Sequence, residues 1–132
     1  SVEDAPQMIL GYTIANDATA RDAMTGGPWS RGKSFDSACP LGPWITVDPA
    51  LDVTNLAIRS YLNGEVAQDS STAHMIWNPF ELVSYVSRQM TLLPGDVIAT
   101  GAPAGAEIVH AGDRVEIEIE GIGSLTNPVV RA

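Results

Sequence analysis

The sequence predicts an α+β fold that is mostly β, a roll of short strands with one or two short helices attached. Three observations carry that reading. Val115, Ile117 and Ile119 alternate with Glu116, Glu118 and Glu120, the period of a half-buried strand. Asn63-Gly64 lies between two strand-like runs and is the strongest short-range hairpin signal. Only after Asn78 do a helix-start signal and helical spacing of apolar residues occur together. The chain has 132 residues, which predicts a single domain over 1–132. A domain of this size buries roughly two thirds of the surface its unfolded chain exposes.

In chain order, Ser1 with Glu3 and Asp4 resembles a capped helix start, and Pro6 and Gly11 limit that helix to about two turns. Gly11, Thr13 and Ala15 then alternate with Tyr12, Ile14 and Asn16 as a first strand. Gly26, Gly27, Pro28 and Gly32 make residues 23–32 a loop, with Trp29 as a lid or partner contact. Residues 44–47 form a short strand bounded by Pro43 and Asp48-Pro49. Residues 56–61 and 65–68 are the hairpin arms. Asn78 is an N-cap, with Pro79 at the first helical position and Glu81 completing a capping box. Leu82, Val83, Val86 and Met90 give that helix its apolar stripe. Pro94-Gly95-Asp96 closes it, and residues 97–99 are expected as a short buried strand. Residues 101–106 form a second Gly/Pro-rich loop. The alternating strand 114–120, a turn at Gly121 and Gly123, and a last strand over 125–130 complete the chain.

Composition narrows the functions. Sixteen acidic against seven basic residues give a net charge of −9, which opposes nucleic acid and anionic membranes as partners. No apolar run approaches the ~20 residues of a membrane span, and the first residues lack a signal-peptide pattern. Cys39 is the single cysteine, so no intrachain disulfide forms and a cytoplasmic setting is expected. A small packed thiol before Pro40 is the expected state of Cys39. His74 and His110 are not spaced as a metal pair. Ser34 and Ser37 have no His-Asp set near them in sequence.

The chemistry-bearing stretch is 11–42. Charged groups crowd where the first strand ends, at Asp17, Arg21 and Asp22, with Thr19 among them; Arg31, Lys33, Ser34 and Asp36 follow. Charges beside an apolar strand are costly unless they pair or bind something. Asn16-Asp17-Ala18-Thr19-Ala20-Arg21-Asp22, Gly32-Lys33-Ser34-Phe35-Asp36 and Cys39-Pro40-Leu41-Gly42-Pro43 resemble the fumarylacetoacetate hydrolase family. In the same order follow Asn63-Gly64-Glu65 with Gln68, Met75-Ile76-Trp77, Leu93-Pro94-Gly95-Asp96, Thr100-Gly101-Ala102-Pro103 and Ser124-Leu125-Thr126-Asn127-Pro128. The resemblance runs the length of the chain.

The resemblance implies a mixed β-sandwich roll, commonly dimeric, that acts on small 2-oxo acids or acylpyruvates by C–C hydrolysis, decarboxylation or isomerisation. It implies Mg²⁺ (or Mn²⁺) held by acidic residues, with Asp17 a ligand. Lys33 is then the substrate-contacting, catalytic lysine. Arg21, Thr19, Thr100 and Gly101 are substrate-binding. Read as residues alone, Asp17 caps a turn or pairs with Arg21. Lys33 alternatively pairs with Asp36 or Asp22, Arg21 pairs equally well with Asp17 or Asp22, and Thr19 satisfies backbone groups. Two positions depart from the family pattern: Ala102 stands where a second threonine is usual, and Met24 where many relatives carry glutamine. Both changes are expected to strip hydrogen-bonding groups from the pocket.

The family's other metal acids form a Glu-x-Glu pair upstream of the segment that matches Ser1. Glu116 and Glu118 have that spacing, but their alternation makes them a solvated strand face. Two readings follow. One is a Mg²⁺-dependent 2-oxo acid enzyme, here in a fragment or truncated form. The other is a catalytically silent module retained for oligomerisation or small-anion binding. Trp29, Trp44 and Trp77 supply aromatic surface for a homodimer.

Overall fold

A computed structural model describes residues 1–131. Strands β1 (Tyr12–Ala15) and β2 (Leu41–Thr46) form a two-stranded antiparallel sheet. Strands β3 (Ala57–Leu62), β4 (Glu65–Ser71), β5 (Arg114–Ile119) and β6 (Gly123–Pro128) form a second sheet, ordered β4-β3-β5-β6 and antiparallel throughout. Three short helices accompany them: α1 (Ala5–Met8), α2 (Ser30–Lys33) and α3 (Pro79–Ser87). The mostly β, α+β architecture agrees with the sequence reading.

The two sheets meet where β6 packs on β1 and β2. Ile14 is fully buried there, beside Val53, Leu56, Ile122 and Leu125. Tyr12, Leu51, Phe80, Ile117 and Ile119 pack around this cluster. Alternation explains the second sheet: Ile58, Ser60 and Leu62 share a face with Ile119, Ile117 and Val115, their register partners. The opposite face carries Arg59, Tyr61, Glu116 and Glu118. There Arg59 pairs with Asp69 at 3.1 Å, and Tyr61 donates to Glu118 at 3.1 Å. Arg114 pairs with Glu116 at 3.3 Å. The Glu-x-Glu spacing of β5 is thus a polar outer face.

Local signals set several elements. Asn63 and Gly64 have φ of 54° and 91°, the double positive-φ turn that closes β3 onto β4. Asn78 accepts from the N–H groups of Phe80 and Glu81, each at 3.0 Å. The Glu81 carboxylate accepts in return from the Asn78 N–H at 2.8 Å, completing the capping box.

Other expectations need correction. Helix α1 is one turn, not two, and starts at Ala5; Ser1 instead accepts from the Asp4 N–H and donates to the Asp4 carboxylate. The expected loop 23–32 contains part of a 3₁₀ turn (Arg21–Met24) and most of α2. Single-turn helices carry too few residues to show a period. β2 runs through Pro43, which a two-stranded sheet tolerates because every strand in it is an edge. β6 begins at Gly123, two residues early. Residues 97–99 form no strand, and Val97 is 59% exposed: an apolar run alone does not provide a pairing partner. Cys39 is exposed rather than packed.

The accessible surface is 9177 Å². A compact monomer of 13.9 kDa is expected to show about 6,700 Å². The excess is roughly 2,500 Å², and it includes apolar side chains at Trp29, Trp44, Trp77, Ile76 and Ile108. No helix among the described residues is long and apolar enough to cross a membrane.

Candidate functional site

The chain turns sharply after β1. Ala18 N–H donates back to the Asn16 carbonyl at 2.9 Å, and Thr19 Oγ1 donates to the Asp17 carbonyl at 3.2 Å. This presents the Asp17 carboxylate outward, half exposed. Lys33, at the end of α2, donates its Nζ to Asp17 Oδ2. The structure pairs Lys33 with Asp17, a partner the sequence did not suggest for it, and not with Asp36 or Asp22. A pair this exposed stabilises a fold by about 0–1 kcal/mol, so it adds little to holding the two segments together.

Gly32 explains how Lys33 arrives there. It is buried, and its carbonyl accepts from the Ala20 N–H at 2.9 Å. A Cβ at Gly32 would lie 2.6 Å from the Ala20 carbonyl oxygen and 2.8 Å from the Met24 sulfur. Only glycine lets α2 approach the Arg21–Met24 turn this closely. Met24 therefore packs on Gly32 and lies outside the lining of the adjacent concavity. The backbone thus aims position 24 at α2. Ala102, by contrast, does border the concavity.

That concavity has a volume of about 2510 Å³, well above the roughly 300–1,000 Å³ of an ordinary small-molecule pocket. It is an open hollow under the apolar face of the four-stranded sheet. Its border takes in more than half of the described residues, Asp17, Thr19, Arg21, Thr100 and Gly101 among them. Lys33 is not on its lining and reaches it only through Asp17. Among the described residues Arg21 has no ion-pair partner. In a chain of net charge −9, the rim thus offers the Arg21 guanidinium and the Thr19 and Thr100 hydroxyls, with the Lys33 ammonium behind them on Asp17, a set suited to a small carboxylate.

The fit to a divalent cation is poor within this chain. Among the described residues no three His, Cys, Asp or Glu side chains cluster to hold a metal. Asp17 is a lone carboxylate whose charge Lys33 already balances. Hard cations such as Mg²⁺ take oxygen ligands and favour anionic ones, so this set does not hold one tightly.

Ser70 and His74 also border the hollow, with Ser70 Oγ 3.2 Å from His74 Nδ1. No carboxylate hydrogen-bonds His74 among the described residues, so no triad forms. Gln68, left without a role by the sequence reading, joins Ser60 to the loop after Thr100. Its signal was hidden, because the hairpin turn alone predicts Ser60 opposite Ala67. A bulge between Ser60 and Tyr61 places Gln68 there instead.

A protein of Mycobacterium tuberculosis is 52% identical over 125 residues, covering 93% of this chain and 47% of its own length. The mitochondrial oxaloacetate tautomerase of Xenopus laevis is 42% identical over 97% of this chain and 44% of its own length. Among solved structures, the 5-carboxymethyl-2-hydroxymuconate delta-isomerase of Mycobacterium smegmatis superposes with a TM-score of 0.94 at 49% identity, over 99% of this chain and 52% of that one. The fumarylpyruvate hydrolase of Pseudomonas aeruginosa, solved with Mn²⁺ and pyruvate, gives 0.93 at 36% identity, over 100% of this chain and 59% of that one. The chain thus spans about half the length of the relatives it matches. The fumarylacetoacetate (FAA) hydrolase C-terminal family model matches residues 1–130, and the chain belongs to that family.

Proposed function

We propose that this chain carries the anion-binding half of a site for small 2-oxo acids or acylpyruvates, serving their isomerisation, decarboxylation or C–C hydrolysis. The observation behind the reading is the Lys33–Asp17 pair at the rim of a hollow also bordered by Arg21, Thr19 and Thr100. The relatives named for such chemistry, a tautomerase, an isomerase and a hydrolase, support it. All three reactions build negative charge on the 2-oxo oxygen. In this reading the Arg21 guanidinium takes the substrate carboxylate. The Lys33 ammonium, released from Asp17, donates to the oxygen where charge develops. Thr100 Oγ1 and the Gly101 backbone orient the other end.

Dependence on Mg²⁺ or Mn²⁺ is proposed with Asp17 as one ligand and the others supplied from outside residues 1–131. A homodimer is proposed from the excess surface, which exceeds the ~1,600 Å² of a standard interface. The lone carboxylate also favours a second reading, in which the module binds small anions without turnover.

Calorimetric titration with pyruvate, with and without Mn²⁺, tests the first reading, followed by oxaloacetate turnover with and without EDTA. Pyruvate binding that Arg21→Met abolishes, with EDTA-sensitive turnover that Lys33→Met removes, is the expected result. Binding without turnover would select the anion-binding module. No binding at millimolar pyruvate would overturn both.

A further inference from the structure

We infer that Gln68 is a positioning residue, holding the Thr100-Gly101-Ala102 loop at the height from which it meets substrate; the inference rests on the reading of the site proposed above. Residues 97–109 contain no helix or strand. Among the described residues, the only hydrogen bonds to this segment come from Gln68. Its Nε2 donates to the Pro103 carbonyl at 2.6 Å and lies 3.4 Å from that of Ala104. Both are acceptors only, so the amide nitrogen must face the loop.

The other end of the amide is fixed from the sheet. Ser60, 8% exposed on β3, donates Oγ to Gln68 Oε1 at 2.7 Å from the directly opposed register position. That opposition exists only because β4 bulges at Ala67, where Ser60 pairs with Gln68 and Tyr61 with Val66. Bulges re-aim side chains. The same bulge turns the Ala67 carbonyl toward the loop, 2.8 Å from where a Cβ on Gly105 would sit. Gly105 has φ of 100° and closes on β4 where no side chain fits. Two adjacent β4 residues therefore pin residues 103–105, immediately after Thr100 and Gly101.

The test compares the full chain with Gln68→Leu, Gln68→Glu and Ser60→Ala, first checking each fold by circular dichroism. Steady-state ¹H–¹⁵N nuclear Overhauser effects report loop order over residues 100–106. Gln68→Leu and Gln68→Glu are both expected to lower these values while β3 and β5 stay ordered. The Glu variant keeps the shape but cannot donate to two carbonyls. Ser60→Ala, which frees the amide to turn, gives an intermediate loss. Pyruvate affinity falls about five- to tenfold in Gln68→Leu, the loss of one or two net hydrogen bonds. Unchanged loop order in the Gln68 variants would overturn the inference. So would a disordered loop with unchanged pyruvate affinity, which makes Gln68 merely structural. If the wild-type chain binds no pyruvate, the function reading and the substrate-facing role fall together. The loop-order result then shows separately whether the clamp itself exists.

Discussion

Asn16 donates its Nδ2 to Oδ1 of Asn127 across 3.1 Å, joining the residue before Asp17 to strand β6 of the other sheet. Asn16 N–H also donates to the Pro40 carbonyl at 3.0 Å. The acid-bearing turn is therefore fixed from two directions. Asn16→Ala and Asn127→Ala are each expected to cost about 1 kcal/mol. Their double mutant should show a coupling of roughly 0.5–1.5 kcal/mol by urea denaturation. Strict additivity would mean that the bond does not join the sheets.

The Lys33–Asp17 pair separates stability from binding. Lys33→Met and Asp17→Asn are each expected to shift unfolding by less than about 1 kcal/mol, since the pair is partly in solvent. Lys33→Met is expected to lower oxaloacetate turnover far more than pyruvate affinity, since Arg21 takes the carboxylate, whereas Asp17→Asn leaves pyruvate binding in place without Mn²⁺. A large stability loss in both variants would instead mark the pair as structural.

Gly32→Ala tests how Lys33 is placed. The new methyl meets the Ala20 carbonyl oxygen, a backbone atom that cannot swing aside, as well as the flexible Met24. Overpacking of this kind costs about 1–3 kcal/mol. Met24→Ala in the same chain relieves only the side-chain contact, so recovery should be partial. Chemical denaturation of the single and double variants reads both numbers.

Acid stability has a local origin at Asp113. The Asn63 side chain donates to its carboxylate at 2.8 Å and the His110 N–H at 2.7 Å, holding its pKa below the ordinary 3.8. A carboxylate with a depressed folded-state pKa contributes stability that is complete above its unfolded value and is lost as pH falls through the folded one. Asp113→Asn should therefore lower stability above about pH 4, where the bonded carboxylate contributes, and converge on the unsubstituted chain in stronger acid, flattening the profile. Denaturation midpoints measured from pH 2 to pH 7 check this.

What could be read in advance was what local chemistry encodes. The Asn78 capping box, the Asn63-Gly64 turn and the outward acids of β5 each follow from a few adjacent residues. The pairing of Asp17 with Lys33 was foreseen only as a shared locality. Its geometry depends on Gly32 admitting α2 against the preceding turn, a tertiary contact between one-turn helices. The Gln68 contact was hidden for a different reason, because one extra residue in β4 shifts the register. Residues 97–99 looked like a strand on composition but have no neighbour to pair with.

The surplus of wetted surface has a calorimetric consequence. Unfolding raises heat capacity in proportion to the apolar area newly exposed to water. Here much of that area is already hydrated, and Ile14 is the largest side chain wholly sealed from solvent among the described residues. The heat-capacity step on melting should fall below the usual ~12–15 cal/mol/K per residue. The stability curve of the isolated chain is then shallow, changing little between refrigeration and body heat.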